Sequence, residues 1–168
     1  MGAALEVERK FLVESVPTGL VPDGEREIVQ GYLASEPNGE EVRLRWTRRN
    51  GQVSYVRTLK QGRGLDREEQ EQEIEAVAFV RLWALTSGRR IYKTRRLYRL
   101  AVEPSGPMLE LDWFDGRLKG LIVAEVEFPD QIEASGFSAP GWFGREVTGD
   151  RSFSNHALAE RINLDGLR

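Results

Sequence analysis

Polar and apolar residues alternate with a period of two along most of this chain, the spacing that puts every second side chain of a strand on one face. Eight stretches carry the pattern, near residues 4–13, 26–35, 41–49, 53–60, 67–75, 89–101, 107–115 and 121–128. Each reads as a β-strand. Asn50-Gly51, between the third and fourth, predicts a tight hairpin because both residues tolerate positive φ. Gly62-Arg63-Gly64, Pro104 to Pro107 and Asp115-Gly116 mark further turns, and Pro17 to Gly24 a loop. Three stretches read as helix. Residues 76–86 carry Val77, Phe79, Val80, Leu82, Trp83 and Leu85 and end at Gly88, a C-terminal cap. That helix is apolar enough to require burial. Residues 130–136 follow Asp130 as N-cap, and residues 155–164 follow Ser154, with Leu158 and Ile162 one turn apart.

The polar half of the alternation is charged, and whole strands carry one sign. Glu6, Glu8 and Lys10 share a face of the first strand, and Arg43 and Arg45 of the third. Lys60 lies in the fourth strand, Glu69, Glu71 and Glu73 in the fifth, Lys93 and Arg95 in the sixth. Glu110 and Asp112 follow in the seventh, Glu125 and Glu127 in the eighth. A sandwich with polar outer faces also alternates, but its surface strands mix Thr, Ser, Lys and Gln. Here apolar helices demand the apolar faces, so the charged faces must gather elsewhere. An eight-stranded antiparallel sheet closed into a barrel gathers them in one lumen. The expected fold is therefore α+β, an eight-stranded antiparallel β-barrel with helices packed outside, spanning residues 1–168 as a single domain.

Composition narrows the chemistry. The 168 residues are 30% charged with a net charge of −3, so no global field draws nucleic acid or an anionic membrane. Absence of cysteine excludes disulfides, thiolate metal sites and cysteine nucleophiles. A single histidine, His156, argues against a histidine-rich zinc site or a serine–histidine relay; its expected place is the last helix, without a catalytic part. No apolar run is long enough to span a bilayer and no signal-peptide pattern begins the chain, so a cytoplasmic protein is expected.

Segregated cations and carboxylates suit phosphoryl chemistry. Arg43, Arg45, Lys60, Lys93 and Arg95 can grip several phosphates, the arginines as bidentate forks. Glu6, Glu8, Glu125 and Glu127 offer only oxygen ligands, the preference of Mg2+ and Mn2+. Hydrolysis then needs positioning, charge neutralisation and a metal-polarised water.

At this point the chain resembles the CYTH family, or triphosphate tunnel metalloenzymes. The resemblance rests on Glu6, Glu8 and Lys10 as E-x-E-x-K, then Gln30-Gly31-Tyr32-Leu33, Val42-Arg43-Leu44-Arg45, Thr58-Leu59-Lys60 and Lys93-Thr94-Arg95. Glu110-Leu111-Asp112, Glu125-Val126-Glu127-Phe128 and Trp142 to Thr148 follow in the family's order, with Asp150, Ser154-Asn155 and Leu158 beyond. Phe153, where a tyrosine is common, and Arg96, where an aromatic is frequent, depart from the pattern. The resemblance implies a triphosphate tunnel and hydrolysis of inorganic triphosphate with Mg2+ or Mn2+, as in the small bacterial members. It implies Glu6, Glu8, Glu125 and Glu127 as metal ligands and Lys10, Arg43, Arg45, Lys60, Lys93 and Arg95 as triphosphate binders, with Tyr32 projecting towards the substrate. Glu69, Glu71, Glu73 and Asp112 become tunnel acids. The catalytic set is Glu6, Glu8, Lys10 and Lys93, one of the two glutamates orienting or deprotonating water. Replacing Lys93 with Ala is expected to cut turnover and leave the fold intact. Alternatives within the family are hydrolysis of thiamine triphosphate or a nucleoside triphosphate, and adenylate cyclisation; outside it, a non-catalytic polyphosphate-binding module. Nucleic acid and membrane are not expected partners, and a homodimer is left open.

Overall fold

Asn50 and Gly51 take φ of 51° and 77°, the left-handed pair that a two-residue hairpin turn requires. They join β3 (Glu41–Arg49) to β4 (Gln52–Gln61), whose register runs from Arg49 opposite Gln52 to Glu41 opposite Lys60. The computed structural model describes residues 7–34, 40–61, 68–100 and 107–167. The remaining strands are β1 (Val7–Leu12), β2 (Gly24–Tyr32), β5 (Glu68–Glu73), β6 (Arg90–Arg99), β7 (Met108–Phe114) and β8 (Ile122–Phe128). All eight expected strands are present, every pairing is antiparallel, and their spatial order is β1-β8-β7-β6-β2-β3-β4-β5.

The sheet has two ends, β1 and β5, and among the described residues no ladder joins them. The expected closure into a barrel is thus not seen. Both ends are acidic on the same face, Glu8 on β1 and Glu69, Glu71 and Glu73 on β5, and like charges brought opposite one another disfavour pairing. Glu6 and the turns at Gly62-Arg63-Gly64 and Pro104 lie outside the described residues.

Each face of the sheet has its own apolar core. On one, Phe11, Leu109, Leu111, Ala124, Val126 and Phe128 pack under α2 (Gln131–Gly136) and the aromatic run of Phe137, Trp142 and Phe143. Asp130 caps α2 by accepting from the Glu133 amide at 2.8 Å. The other face is charged along most of its length and apolar at one end. There Tyr32, Ile91, Phe114 and Val123 meet Phe153, Leu158, Ala159 and Leu167. Phe153 and Leu158 belong to a 3-10 turn (Arg151–Phe153) and to α3 (Asn155–Glu160), which cross that end as a plug. Burying each large aliphatic or aromatic side chain there contributes roughly 1.5–3 kcal/mol.

Two helix expectations are corrected. α1 (Ala76–Trp83), extended by a 3-10 turn (Ala84–Thr86), buries Phe79 against Tyr55 and Trp83, yet Val77, Val80 and Leu85 are 65%, 67% and 61% exposed. An eight-residue helix lays only one stripe on β3 and β4, so its apolar excess stays outside. α3 ends at Glu160 rather than 164, leaving Ile162 exposed. Asn163 Oδ1 accepts the Asp165 amide at 3.0 Å, a local turn that competes with helix.

Candidate functional site

Strand register decides which side chains meet. Glu8 stands opposite Glu127, Lys10 opposite Glu125, Glu125 opposite Glu110, and Arg95 opposite Asp112. Arg43 stands opposite Thr58, Thr58 opposite Glu71, and Lys60 opposite Glu69. Residues opposite one another share a face, so these charged positions from β1 to β8 fall on the same one. That face is concave: Arg95 on β6 donates to Glu125 Oε2 at 2.8 Å, past the intervening β7.

Its centre is a buried ionic cluster. Lys93 Nζ donates to Asp112 Oδ2 at 2.5 Å and to Asn155 Oδ1 of α3 at 3.4 Å. Arg95 forks onto Asp112, Nε to Oδ1 at 2.6 Å and Nη2 to Oδ2 at 2.7 Å, and also bonds Glu110 and Glu125. Lys10 Nζ lies 2.9 Å from Glu125 and 3.5 Å from Glu8. Burial works against the Asp112 carboxylate, but Lys93 and Arg95 outweigh it and hold the pKa at about 2. Burial likewise opposes Glu125, which Lys93, Arg95 and Lys10 draw below the usual carboxylate range. Burial pushes the Lys93 ammonium down against the pull of Asp112. Lys10, more open, is raised by Glu125 and Glu8 despite desolvation.

The second group lies on β3, β4 and β5. Arg43 Nη2 donates to Thr58 Oγ1 at 3.1 Å, Glu71 Oε1 at 2.9 Å and Glu69 Oε1 at 3.4 Å. Arg45 reaches the same Glu71 oxygen at 3.4 Å, and Lys60 lies 3.0 Å from Glu69. Glu73, opposite Val56, extends the acidic row. Burial, then the neighbouring Arg43, holds Arg45 below the usual guanidinium range. Tyr32 is on the same face but stands in the apolar plug, its ring stacked on His156 at 4.8 Å. Burial raises its phenol well above the usual value. His156 is on α3, as expected, with Nδ1 2.6 Å from Glu41 Oε2.

Of the four expected metal ligands, Glu8 and Glu127 are exposed neighbours on adjacent strands, Glu125 is engaged by Lys10 and Arg95, and Glu6 is outside the described residues. Among the described residues no cluster of three or more such ligands is assembled. The donor set nevertheless fits a hard divalent ion: carboxylates only, two of them set opposite one another where a cation relieves their repulsion.

Sequence reasoning missed Arg26, opposite Arg95 on this face, and Asn155, which reaches Lys93 from α3. The second strand reads Glu25-Arg26-Glu27, with a charge on each face and no apolar residue among the three to mark one face as the core side, so its alternation carries no signal. The departures Arg96 and Phe153 are both accommodated. Arg96 points to the opposite face, over Trp113 and paired with Glu25 at 2.7 Å; Phe153 is buried in the plug under Arg145.

No family model matches the chain. An inorganic triphosphatase of Nitrosomonas europaea is 44% identical over 160 residues, covering 94% of this chain and 98% of that protein. An inorganic triphosphatase of Acetivibrio thermocellus is 31% identical over 160 residues, covering 92% and 93%. Among solved structures, that of an inorganic triphosphatase superposes with a TM-score of 0.72 at 39% identity, covering 96% of this chain and 98% of the other. A Hippeastrum protein, described as an adenylyl cyclase with a dominant triphosphatase activity, shares the fold at a TM-score of 0.52 and 18% identity. It covers 79% of this chain and 83% of its own.

Proposed function

The chain belongs to the inorganic triphosphatases of the CYTH, or triphosphate tunnel metalloenzyme, family, and from that premise we propose that it hydrolyses inorganic triphosphate to diphosphate and orthophosphate on its charged concave face. The observation that carries this is the register. It aligns Lys10, Arg43, Arg45, Lys60, Lys93 and Arg95 on one face, each beside a carboxylate of that face.

Exposure divides these cations into two jobs. Glu69 and Glu71, the partners of Arg43, Arg45 and Lys60, are 42% and 46% exposed. Such pairs contribute only about 0–1 kcal/mol, so a triphosphate replaces the carboxylates at little cost. Arg43, Arg45 and Lys60 are therefore the grips. Lys93, Asp112 and Arg95 form a buried floor that stays paired and preorganised, its two cations offsetting charge on the leaving diphosphate through the field they set up there. Tyr32, enclosed in the plug, steadies Arg43 from below.

Glu8, Glu125 and Glu127, with Glu6, would hold Mg2+ or Mn2+, which supplies charge neutralisation and a more acidic water. Lys10 offsets the charge of Glu125 and favours its ionised form. A Glu8 or Glu6 carboxylate oxygen orients the attacking water and takes its proton. Enclosure of the substrate by the sheet, its acidic edges β1 and β5 flanking the opening without pairing among the described residues, accords with the curvature of the sheet. The same reading makes the protein cytoplasmic and its substrate a small molecule rather than a nucleic acid.

Orthophosphate release from inorganic triphosphate, thiamine triphosphate and ATP, each with Mg2+, Mn2+ or chelator, tests the proposal against a Glu6→Ala/Glu8→Ala double variant. Metal-dependent release favouring inorganic triphosphate, lost in the variant, is expected. Preference for another triphosphate would overturn the substrate, and triphosphate bound without release would overturn the enzyme.

A further inference from the structure

A cavity of about 520 Å3 opens beside the β3–β4 hairpin, at the end of the charged face away from the α3 plug. Four arginines line it: Arg26, Arg45, Arg49 and Arg95. Among the described residues no carboxylate does. The four differ in what already satisfies them. Arg95 is saturated by Asp112, Glu110 and Glu125, and Arg45 shares Glu71. Arg26, among the described residues, makes no hydrogen bond or ion pair, and its Nε is buried without a partner.

Its placement makes that more costly. Arg26 stands directly opposite Arg95 across the β2–β6 ladder, an arrangement of like charges that destabilises a sheet. Burial, then Arg49 and Arg95, pushes its guanidinium below the usual range, against a smaller pull from Glu127. A guanidinium does not deprotonate in response, so the site is short of negative charge. A buried, unpaired donor is destabilising until something accepts from it.

We propose that Arg26 is a further substrate-binding residue, taking a phosphoryl group of the substrate in this cavity between Arg45 and Arg95, with Arg49 at the rim. The assignment rests on the triphosphatase reading. Arg26 supplies a planar fork at the hairpin end of the charged face, and a phosphoryl oxygen satisfies its Nε and separates it from Arg95.

The test compares Arg26→Gln and Arg26→Lys with wild type, and with Arg57→Gln as a control on the opposite face, where Arg57 bonds Gln72. Steady-state kinetics on inorganic triphosphate at fixed Mg2+, calorimetric binding of inorganic triphosphate in chelator and ligand-free Tm are measured. For Arg26→Gln, KM and Kd are expected to rise about tenfold with kcat within about threefold, the loss of one charge-assisted hydrogen bond. Arg26→Lys should recover part of the affinity, and Arg57→Gln should match wild type. The ligand-free Tm of Arg26→Gln should equal or exceed wild type, because a like-charge opposition is removed. KM and Kd within twofold of wild type, or a lowered Tm with unchanged affinity, would make Arg26 a structural residue and overturn the inference alone. If the wild-type protein neither binds nor hydrolyses inorganic triphosphate, the functional reading itself falls and this one with it.

Discussion

Lys93 is the most enclosed cation on the charged face, held by Asp112 and Asn155 and lying 5.5 Å from the centre of the Phe114 ring. This burial revises the expectation that Lys93→Ala spares the fold. Removing one member of a buried ion pair costs about 3–5 kcal/mol, and Arg95, still forked onto Asp112, puts the loss near the lower end at about 3 kcal/mol. Denaturant unfolding should show it. Lys93→Ala is also expected to lower kcat, so its activity must be read at a temperature where it is folded. Asp112 sets an acid limit on the same cluster. Its pKa falls from 3.8 to about 2 on folding, so the folded state binds fewer protons across that interval. The contribution is full above pH 3.8 and is lost as pH drops towards 2, and the lowered Glu125 acts in the same direction. An acid titration followed by circular dichroism should lose on the order of 2 kcal/mol to Asp112 across this window. In Asp112→Asn that portion of the pH dependence should vanish and stability at pH 7 should fall.

At the scale of elements, β2 and the helical segment above it approach closely. A Cβ built on Gly31 meets Thr86 Oγ1 and Trp83 Cζ3, both at 2.7 Å. Trp83 is itself clamped by Arg90, whose guanidinium lies 4.4 Å from its ring centre while Nη2 donates to the Trp83 carbonyl at 2.6 Å. Neither neighbour can retreat cheaply, so Gly31→Ala should lower stability by about 1–3 kcal/mol, read from the urea midpoint. Such a contact is invisible in the sequence, where Gly31 is simply a glycine in a strand. The strands themselves were legible, because a period of two and turn residues such as Asn50-Gly51 are local signals. α3 was overextended, because the Asn163–Asp165 turn looks like one more polar pair. Arg9 shows the same blindness within the signature. It sits between Glu8 and Lys10 yet faces away, donating to Glu146 at 2.8 and 2.7 Å and to the Ala134 and Phe137 carbonyls. Nothing in its spacing marks it as the bolt between β1 and α2. The charged positions that share the concave face were legible on single-sign strands for the same reason as the strands. Arg26, between two glutamates, was not.

For the molecule as a whole, a net charge of −3 conceals a concave face built from opposed blocks, cations in its middle strands and carboxylates towards both edges. The far edge, β5, reads Glu-Glu-Gln-Glu-Gln-Glu, without one apolar residue. Among the described residues it has a neighbour on one side only, and it is secured to β4 by main-chain hydrogen bonds and to Arg43, Arg45 and Lys60 by ion pairs with its exposed carboxylates. A segment without apolar burial opens at a free energy well below that of global unfolding. Its amides should therefore exchange with deuterium faster than those of β7 and β8, and faster again as salt weakens the ion pairs. The guanidiniums that anchor this strand are the same ones proposed above to grip the substrate. Occupancy and edge order are then reciprocally linked: inorganic triphosphate should speed exchange in β5 while slowing it in β6 and β7. A variant that loosens β5 without touching Arg43 or Arg45 should, by the same linkage, bind the anion more tightly.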